Sequence, residues 1–252
     1  MPPRRSGAEG GPALRPAYPS RVRSRPFRLA ALAGVTAALI VPGSAPAQTE
    51  PLIPPRSYYR PVIVEGFTFP VARANWLSVI ELAPDWHDPR FRLIDGTWEL
   101  VGVHEGNDIG AEEGTPIVSA SSGTVEAVGW TFYSGTRVGI RGTDGNYYFY
   151  AHLSEVAPGV QVGTSVQPGQ VLGRVGNTGY GPPAHEDEFP PHLHFGIEGP
   201  SGWENPYPLV RRLYRASVRQ TLAGERELAA RARAGDREGF LAVARRLYAD
   251  LG

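Results

Sequence analysis

Short apolar runs separated by turn signals fill the middle of the chain. Six segments between Thr115 and Glu198 are rich in β-branched or aromatic residues and are bounded by SG, DG, PG or TG dipeptides. Their sequences are PIVSA, GTVEAVGW, TRVGIRG, NYYFYAHL, QVLGRVG and HLHFGIE. No helical periodicity interrupts them, and short strands at such intervals are typical of a compact antiparallel sheet assembly. The pattern therefore predicts a mainly β core, with edge structure bordering it between about residues 63 and 103.

After Pro208 the pattern becomes helical. The segments Leu209–Arg233 and Arg237–Leu251 are rich in Ala, Arg and Leu, and apolar residues in the second recur at helical spacing. Gly235 followed by Asp236 has the form of a helix stop and a new N-cap. The sequence therefore predicts a C-terminal helical hairpin at residues 209–252, packed on the β core as an appendage.

The N-terminal region has the form of a targeting segment. An Arg-rich stretch ends at Arg28 and is followed by the 13-residue apolar run Leu29–Val41 and by small residues up to Ala47. This order is typical of a secretory signal peptide, whereas an uncleaved anchor, the alternative, needs about 20 apolar residues to span a bilayer. We predict a signal peptide at residues 1–47 and a Pro-rich linker at residues 48–62. The rest is expected to be exported to the periplasm, cell envelope or extracellular space, with no stable membrane span after cleavage.

The composition of the chain restricts which residue types can form a metal site or carry a cofactor. The chain has no Cys, and all 25 of its basic residues are Arg. A metal site must therefore use His and carboxylates, and a carrier domain that needs a modified Lys is excluded. The net charge of zero combines basic N-terminal and C-terminal regions with an acidic centre over residues 48–210. Because nucleic-acid binding needs clustered basic residues on the binding face, we predict no nucleic-acid partner.

Three separate segments place His and Asp at spacings suited to a metal site. In HEGND, His104 and Asp108 lie four residues apart around a Gly-Asn turn. In HLH, His192 and His194 share one face of a predicted strand, and His152 ends the aromatic strand NYYFYAHL. Each pair alone is common by chance. Together they offer three ligands for a catalytic zinc, which keeps one position open for water, and spare imidazoles for proton transfer.

From roughly Phe67 to Pro208 the chain resembles the lysostaphin or LytM-type zinc metalloendopeptidases, a family of secreted peptidoglycan hydrolases. The blocks that carry the resemblance are HEGNDIGAEEGTPIVSASSGTV, YFYAHLS, VQPGQVLGRVGNTG and PHLHFGI, in the family's order. The resemblance implies one zinc ion and two catalytic imidazoles. The residues implied for these roles are His104, Asp108 and His194 for zinc, and His152 and His192 for catalysis.

The same resemblance implies a fold and a substrate. The fold would be a barrel-sandwich hybrid of antiparallel strands, the duplicated hybrid motif, in a metallopeptidase domain at residues 63–208. The activity would be that of a secreted zinc-dependent metalloendopeptidase hydrolysing peptide bonds in the stem peptides or cross-bridges of peptidoglycan. From strand alternation, Tyr148 and Tyr150 share the face of His152 and form an aromatic surface beside it. We predict that Tyr150 is a substrate-binding residue in a peptide groove.

One segment departs from the family pattern. Between the TG turn and HLH the chain has YGPPAHEDEFPP, which holds His185 and the acidic run 186–188 close to the expected metal. This segment is either a solvated surface loop or a site that attracts a substrate amine. His87, in the PDWHDP turn, is expected to lie outside the site. For the whole chain the alternative is a non-catalytic wall-binding module or an activator of other wall hydrolases, although the intact ligand set favours catalysis.

Overall fold

The computed structural model describes residues 57–74, 78–183 and 189–251. The predicted signal peptide, most of the predicted linker and the acidic run 186–188 with His185 lie outside the described residues. Fourteen strands and two helices are found within the described ranges.

The strands are β1 (Ser57–Tyr59), β2 (Glu81–Leu82), β3 (Pro89–Ile94), β4 (Thr97–Val103), β5 (Asn107–Gly110), β6 (Pro116–Val118), β7 (Gly123–Thr131), β8 (Gly135–Gly142), β9 (Tyr147–Val156), β10 (Ser165–Val166), β11 (Val171–Val175), β12 (His192–Gly199), β13 (Gly202–Glu204) and β14 (Tyr248–Asp250). The helices are α1 (Tyr207–Arg233) and α2 (Arg237–Leu247).

Most strands belong to one antiparallel sheet. The order of neighbouring strands in this sheet is β10, β7, β8, β9, β12, β5 and β2. In addition, β11 pairs with both β6 and β9, and β13 pairs with β12. The six segments predicted as strands correspond to β6, β7, β8, β9, β11 and β12. The prediction of a mainly β, antiparallel fold with a C-terminal helical pair is confirmed.

One face of β9 and β12 contributes to the main hydrophobic core. Tyr148, Tyr150, Leu193 and Phe195 are each at most 1% exposed. The Tyr150 hydroxyl accepts a hydrogen bond from the backbone N–H of Ala120 at 2.8 Å, which satisfies both groups inside the core. Because side chains alternate between the two faces of a strand, the intervening positions face the other way and are available for polar groups.

Strands β3 and β4 form a separate two-stranded hairpin at the position where the sequence predicts edge structure. Arg92 stands opposite Glu99 on one face of this hairpin. The other face carries four apolar side chains that are 54–63% exposed: Phe91, Leu93, Trp98 and Leu100.

Helix α1 joins the β core to the C-terminal part of the chain. Its first turns bury Val210 and Leu213 in the main core, and Leu228 packs in a second cluster with α2. Gly235 has a φ of 67°, and the Asp236 carboxylate accepts a hydrogen bond from the backbone N–H of Gly239 at 2.9 Å. These two residues therefore form the helix stop and N-cap that the sequence predicts. Neither helix in the described ranges is long and apolar enough to cross a membrane.

The second helix is shorter than predicted. It ends at Leu247 rather than Leu251, and Tyr248–Asp250 form β14, which pairs with β1. The Tyr248 ring stacks on the Tyr59 ring with 5.2 Å between centroids, and both hydroxyls donate to the Glu225 carboxylate. These contacts and the ladder to β1 outweigh the helical spacing of the last apolar residues, because intrinsic helix propensity is a weak preference that tertiary packing overrides.

Replacing Tyr150 with Phe should lower the free energy of unfolding by about 1–3 kcal/mol, because the buried N–H of Ala120 loses its partner. Tyr150→Ala should cost more, about 3–5 kcal/mol, because it also leaves a cavity. Urea unfolding followed by circular dichroism measures both effects. Tyr58→Phe, at a partly exposed position of β1, is the control, and an equal effect of the two Phe substitutions would contradict the burial argument.

Candidate metal centre

The register of three strands assembles the centre. In β12, His194 stands opposite Asp108 of β5 and also opposite Ala151 of β9. Directly opposite residues in an antiparallel pair project to the same face of the sheet. His104 lies just before β5, and Gly106 follows it in the same turn. A Cβ atom at Gly106 would lie 2.4 Å from Cε1 of His194, so only glycine allows the turn to approach the imidazole this closely.

Three donor atoms from these segments form a tight triangle. Nε2 of His104 lies 2.9 Å from Nδ1 of His194 and 3.0 Å from Oδ1 of Asp108. Nδ1 of His194 lies 3.0 Å from the same Oδ1 atom. The three residues predicted as zinc ligands are therefore brought together.

The hydrogen bonds of the imidazoles define which ring nitrogens carry lone pairs. Nδ1 of His104 donates to the backbone carbonyl of Asp85 at 3.0 Å, and Nδ1 of His192 donates to the carbonyl of Pro190 at 2.9 Å. Because a carbonyl only accepts, each neutral ring keeps its lone pair on Nε2. Such carbonyl partners fix the ring orientation and tautomer of metal-binding histidines. The lone pair on Nε2 of His104 therefore faces the other two atoms of the triangle and can bind a metal ion.

This arrangement fits a divalent metal ion. Two imidazole nitrogens and one carboxylate oxygen are a donor set that zinc accepts, and all three atoms lie within 4.8 Å of one another. In a tetrahedral zinc site with bonds of about 2.0–2.1 Å, ligand atoms lie about 3.3 Å apart. The observed separations of 2.9–3.0 Å are close to that value. The triangle can therefore hold a metal ion with a small adjustment of the side chains.

The protonation states of the side chains at the centre favour the binding of a cation. Burial opposes the ionisation of Asp108, but the His104 and His194 side chains, each with a ring nitrogen 3.0 Å from Oδ1, outweigh it and hold the pKa of this carboxyl below its usual range. Burial lowers the pKa of His194, and it lowers the pKa of His152 to about 3, with the His192 and His194 rings acting in the same direction on His152. At neutral pH His194 and His152 are therefore neutral and Asp108 is ionised, and deprotonated ligands are what metal binding requires.

His152 reaches the centre through a β-bulge. Thr136 of β8 stands opposite Leu153 and Val138 stands opposite Tyr150, so two residues of β9 face one residue of β8. His152 is in this bulge, with a φ of 64°. The bulge shifts the alternation of β9, so His152 no longer shares the face of Tyr148 and Tyr150. The prediction that these three side chains share one face is wrong, because a regular pleat was assumed.

The bulge places the His152 ring beside the predicted ligands. Its centroid lies 4.9 Å from that of His192 and 6.0 Å from that of His194. Nδ1 of His152 donates to the carbonyl of Thr178 at 2.7 Å, which leaves the lone pair on Nε2. Nε2 of His192 lies 3.6 Å from Oδ1 of Asp108. Both residues predicted as catalytic are thus at the centre.

Tyr150 cannot line a peptide groove, and the prediction that it binds substrate is wrong. It is 0% exposed, and its hydroxyl is occupied by Ala120 in the core. An aromatic rim does exist beside His152, but loops supply it. Tyr180 and Phe189 lie 6.1 Å and 5.0 Å from the His152 ring, between centroids. Beyond them, exposed aromatic side chains of the β7–β8 loop continue the rim: Phe132 and Tyr133.

The profile of peptidase family M23 matches residues 102–206, which include the whole triangle and both further histidines. The chain contains a peptidase family M23 domain. The L-Ala–D-Glu endopeptidase of Bacillus subtilis (strain 168) is 46% identical over 113 residues, which cover 43% of this chain and 35% of that protein. Lysostaphin of Staphylococcus staphylolyticus is 38% identical over 96 residues, which cover 37% of this chain and 18% of that protein.

Among solved structures, the catalytic domain of lysostaphin from Staphylococcus simulans is 31% identical, with a TM-score of 0.41, covering 52% of this chain and 92% of that one. The chain spans about a third of the Bacillus subtilis protein and less of lysostaphin.

Two residues that contact the candidate metal centre were not predicted from the sequence. The Asp85 carboxylate accepts hydrogen bonds from the Asn107 side chain and from the backbone N–H of Asp108, the latter at 3.0 Å, while the Asp85 carbonyl holds His104. Nη2 of Arg90 lies 3.0 Å from Oδ2 of Asp108. Neither residue carries a motif, so only the fold shows that they meet the ligands. His87 is exposed, as expected.

We expect Asp85→Ala to weaken zinc binding by about 10–100-fold, because the loop loses the hydrogen bonds that orient the ligands. Competition with a fluorescent chelator measures the affinity in the purified protein. Asp88→Ala removes an exposed carboxylate three residues away and should leave the affinity within about twofold. Similar losses in both variants would mean that net charge rather than orientation is responsible.

In the metal-free protein the unfolding free energy should fall as the pH drops below 6.5. The folded state holds His152 neutral, with a pKa of about 3 instead of 6.5, so below pH 6.5 protons bind preferentially to the unfolded chain. Above pH 6.5, His152 does not contribute to the pH dependence of the unfolding free energy. Urea titrations between about pH 7 and pH 5 should show a shallower slope for His152→Asn, since Asn tolerates positive φ and does not titrate. Identical slopes would contradict the burial of a neutral imidazole.

Proposed function

We propose that this chain is an exported, zinc-dependent metalloendopeptidase that hydrolyses peptide bonds in peptidoglycan stem peptides or cross-bridges. The observation that carries the proposal is the triangle of His104, Asp108 and His194, with His152 and His192 beside it. The ligand set offers three protein donors, which is the number used by catalytic zinc sites that keep a position for water. Export is supported by the form of residues 1–47, which lie outside the described residues.

Zinc in such a site supplies Lewis acidity, which acidifies water and polarises a carbonyl group. The remaining steps belong to the protein. His152 and His192 each have Nδ1 fixed by a backbone carbonyl, so Nε2 is the atom that accepts a proton and later returns it to the leaving amine. Burial keeps His152 neutral at neutral pH, which is the state needed to accept a proton. Once protonated, the imidazole is a donor that stabilises negative charge on the carbonyl oxygen.

The substrate class is supported by the relatives and by the aromatic rim. The Bacillus subtilis relative is named for cleavage between L-Ala and D-Glu, and another, from Vibrio cholerae and 34% identical, is named a peptidoglycan DD-endopeptidase. The rim of exposed aromatic side chains beside His152 is suited to hold a peptide, because aromatic rings provide large apolar contact area with little loss of entropy. Together these features support a peptide of the cell wall as substrate.

The alternative is a non-catalytic wall-binding module or an activator of other hydrolases. Such a protein has no need for three converging metal ligands with pre-oriented tautomers. It also has no need to hold His152 in a positive-φ bulge, which costs about 1–3 kcal/mol. Both features therefore favour catalysis over the binding role.

A chain beginning at residue 48 should bind about one zinc per molecule and release peptide fragments from purified cell walls. Elemental analysis measures the metal, and mass spectrometry of the released fragments identifies the bond that is cut. A chelator and His194→Ala should each abolish release. His87→Asn, which changes an exposed histidine with a φ of 65°, is the matched control and should remain active. Zinc binding without fragments from walls of any bridge composition would favour the non-catalytic alternative, and absence of zinc would refute the metal centre.

A further inference from the structure

Two arginines of the β3–β4 hairpin reach the rim of the metal centre. Arg90 and Arg92 are separated by one residue of β3. Arg90 is paired with Asp108 through Oδ2. Arg92 points toward the β7–β8 loop, where its Nη1 donates to the Tyr133 hydroxyl at 3.1 Å. The exposed apolar face of the hairpin is on the other side, so Arg92 projects toward the aromatic rim.

A continuous series of contacts connects Arg92 to the metal ligands around the rim. The Tyr133 ring lies 6.0 Å from the Tyr180 ring, and Tyr180 stacks at 6.1 Å on His152. The His152 ring is 6.0 Å from that of His194. Arg92 therefore lies on the same aromatic wall that borders the reacting groups, within the length of a short peptide.

The charge of Arg92 is not neutralised by the described part of the chain. Its cross-strand neighbour Glu99 forms no ion pair with it, and its one hydrogen bond there goes to the neutral Tyr133 hydroxyl. Arg90, by contrast, already shares its charge with Asp108. A guanidinium group has five N–H donors, so most donors of Arg92 remain available. An arginine that has no carboxylate partner among residues 57–74, 78–183 and 189–251 is suited to bind an anion.

The guanidinium group is also held in place before any ligand binds. It lies 5.1 Å from the Tyr133 ring centroid and 5.7 Å from that of Phe132. Cation–π contacts of this kind fix the plane of the group. A planar fork matches both oxygens of a carboxylate, and pre-orientation reduces the entropy lost on binding.

We propose that Arg92 is a carboxylate-binding residue at the aromatic rim that selects peptides with an ionised carboxyl group within a few residues of the scissile bond. The inference rests on the proposed peptidase function and adds a substrate preference to it. The carboxylate would displace none of the metal ligands, because Arg92 lies beyond the aromatic rim and contacts neither Asp108 nor the imidazoles. Arg92 thus determines which peptide is cut without participating in the chemical step.

The test uses a matched pair of peptides and two variants. The peptides are built around the bond identified in the wall digest and differ only in a carboxylate or a carboxamide on one residue within a few positions of that bond. For the unaltered protein we expect kcat/KM to be about 10–100-fold higher for the carboxylate peptide. Arg92→Gln should remove this preference, so that kcat/KM becomes equal for the two peptides within about twofold. Arg141→Gln, an exposed arginine on β8, should keep the preference.

Each other outcome overturns the inference in a recognisable way. If Arg92→Gln lowers kcat/KM equally for both peptides while the zinc content is unchanged, Arg92 only fastens the hairpin to the β7–β8 loop. Equal cleavage of each such pair of peptides by the unaltered protein, or a cleaved bond with no carboxyl group within a few residues, rules out carboxylate selection but leaves the peptidase function intact. Failure to cleave any wall removes the proposed function and this inference together.

Discussion

The antiparallel register of β5, β12 and β9 is the constraint on which the centre depends. It sets His194 opposite both Asp108 and Ala151, and so brings residues from distant parts of the sequence to one face of the sheet. A slip of one residue would turn His194 to the opposite face. The opposite face of the same strands buries Leu193, Phe195 and Tyr150 in the core. Hydrophobic burial of one face therefore fixes the positions of the polar groups on the other.

The sequence allowed much of this to be predicted, because strands and metal ligands leave local signals. Alternating β-branched and aromatic residues between turn dipeptides located the central strands. The His-x3-Asp and His-x-His spacings, together with the family resemblance, identified the three residues that form the triangle. The Gly235–Asp236 pair located the break between the helices, since it requires only a positive φ and a capping carboxylate. In each case the signal in the sequence lies within a few residues of the chain.

The predictions that failed depended on interactions between distant segments. The bulge at His152 arises from the mismatch between β8 and β9, which no alternation within β9 reveals. Tyr150 was therefore assigned to a groove when it belongs to the core. Arg90 and Asp85 carry no motif, and they meet Asp108 only because the hairpin and the preceding loop fold over β5. The end of α2 was likewise decided by a partner strand far away in the chain.

The bulge also explains how a buried sheet turns the His152 imidazole away from the core and toward the candidate metal centre. A regular strand would direct His152 into the core with Tyr148 and Tyr150, where the lone pair on its ring would point away from the candidate metal centre. The left-handed backbone at His152 costs about 1–3 kcal/mol, and it persists only if the surroundings enforce it. Tyr150 and Leu153, both 0% exposed, hold the chain on the two sides of the bulge, while the Thr178 carbonyl holds the ring. Core packing thus maintains a strained conformation at the position of β9 that brings His152 to the candidate metal centre.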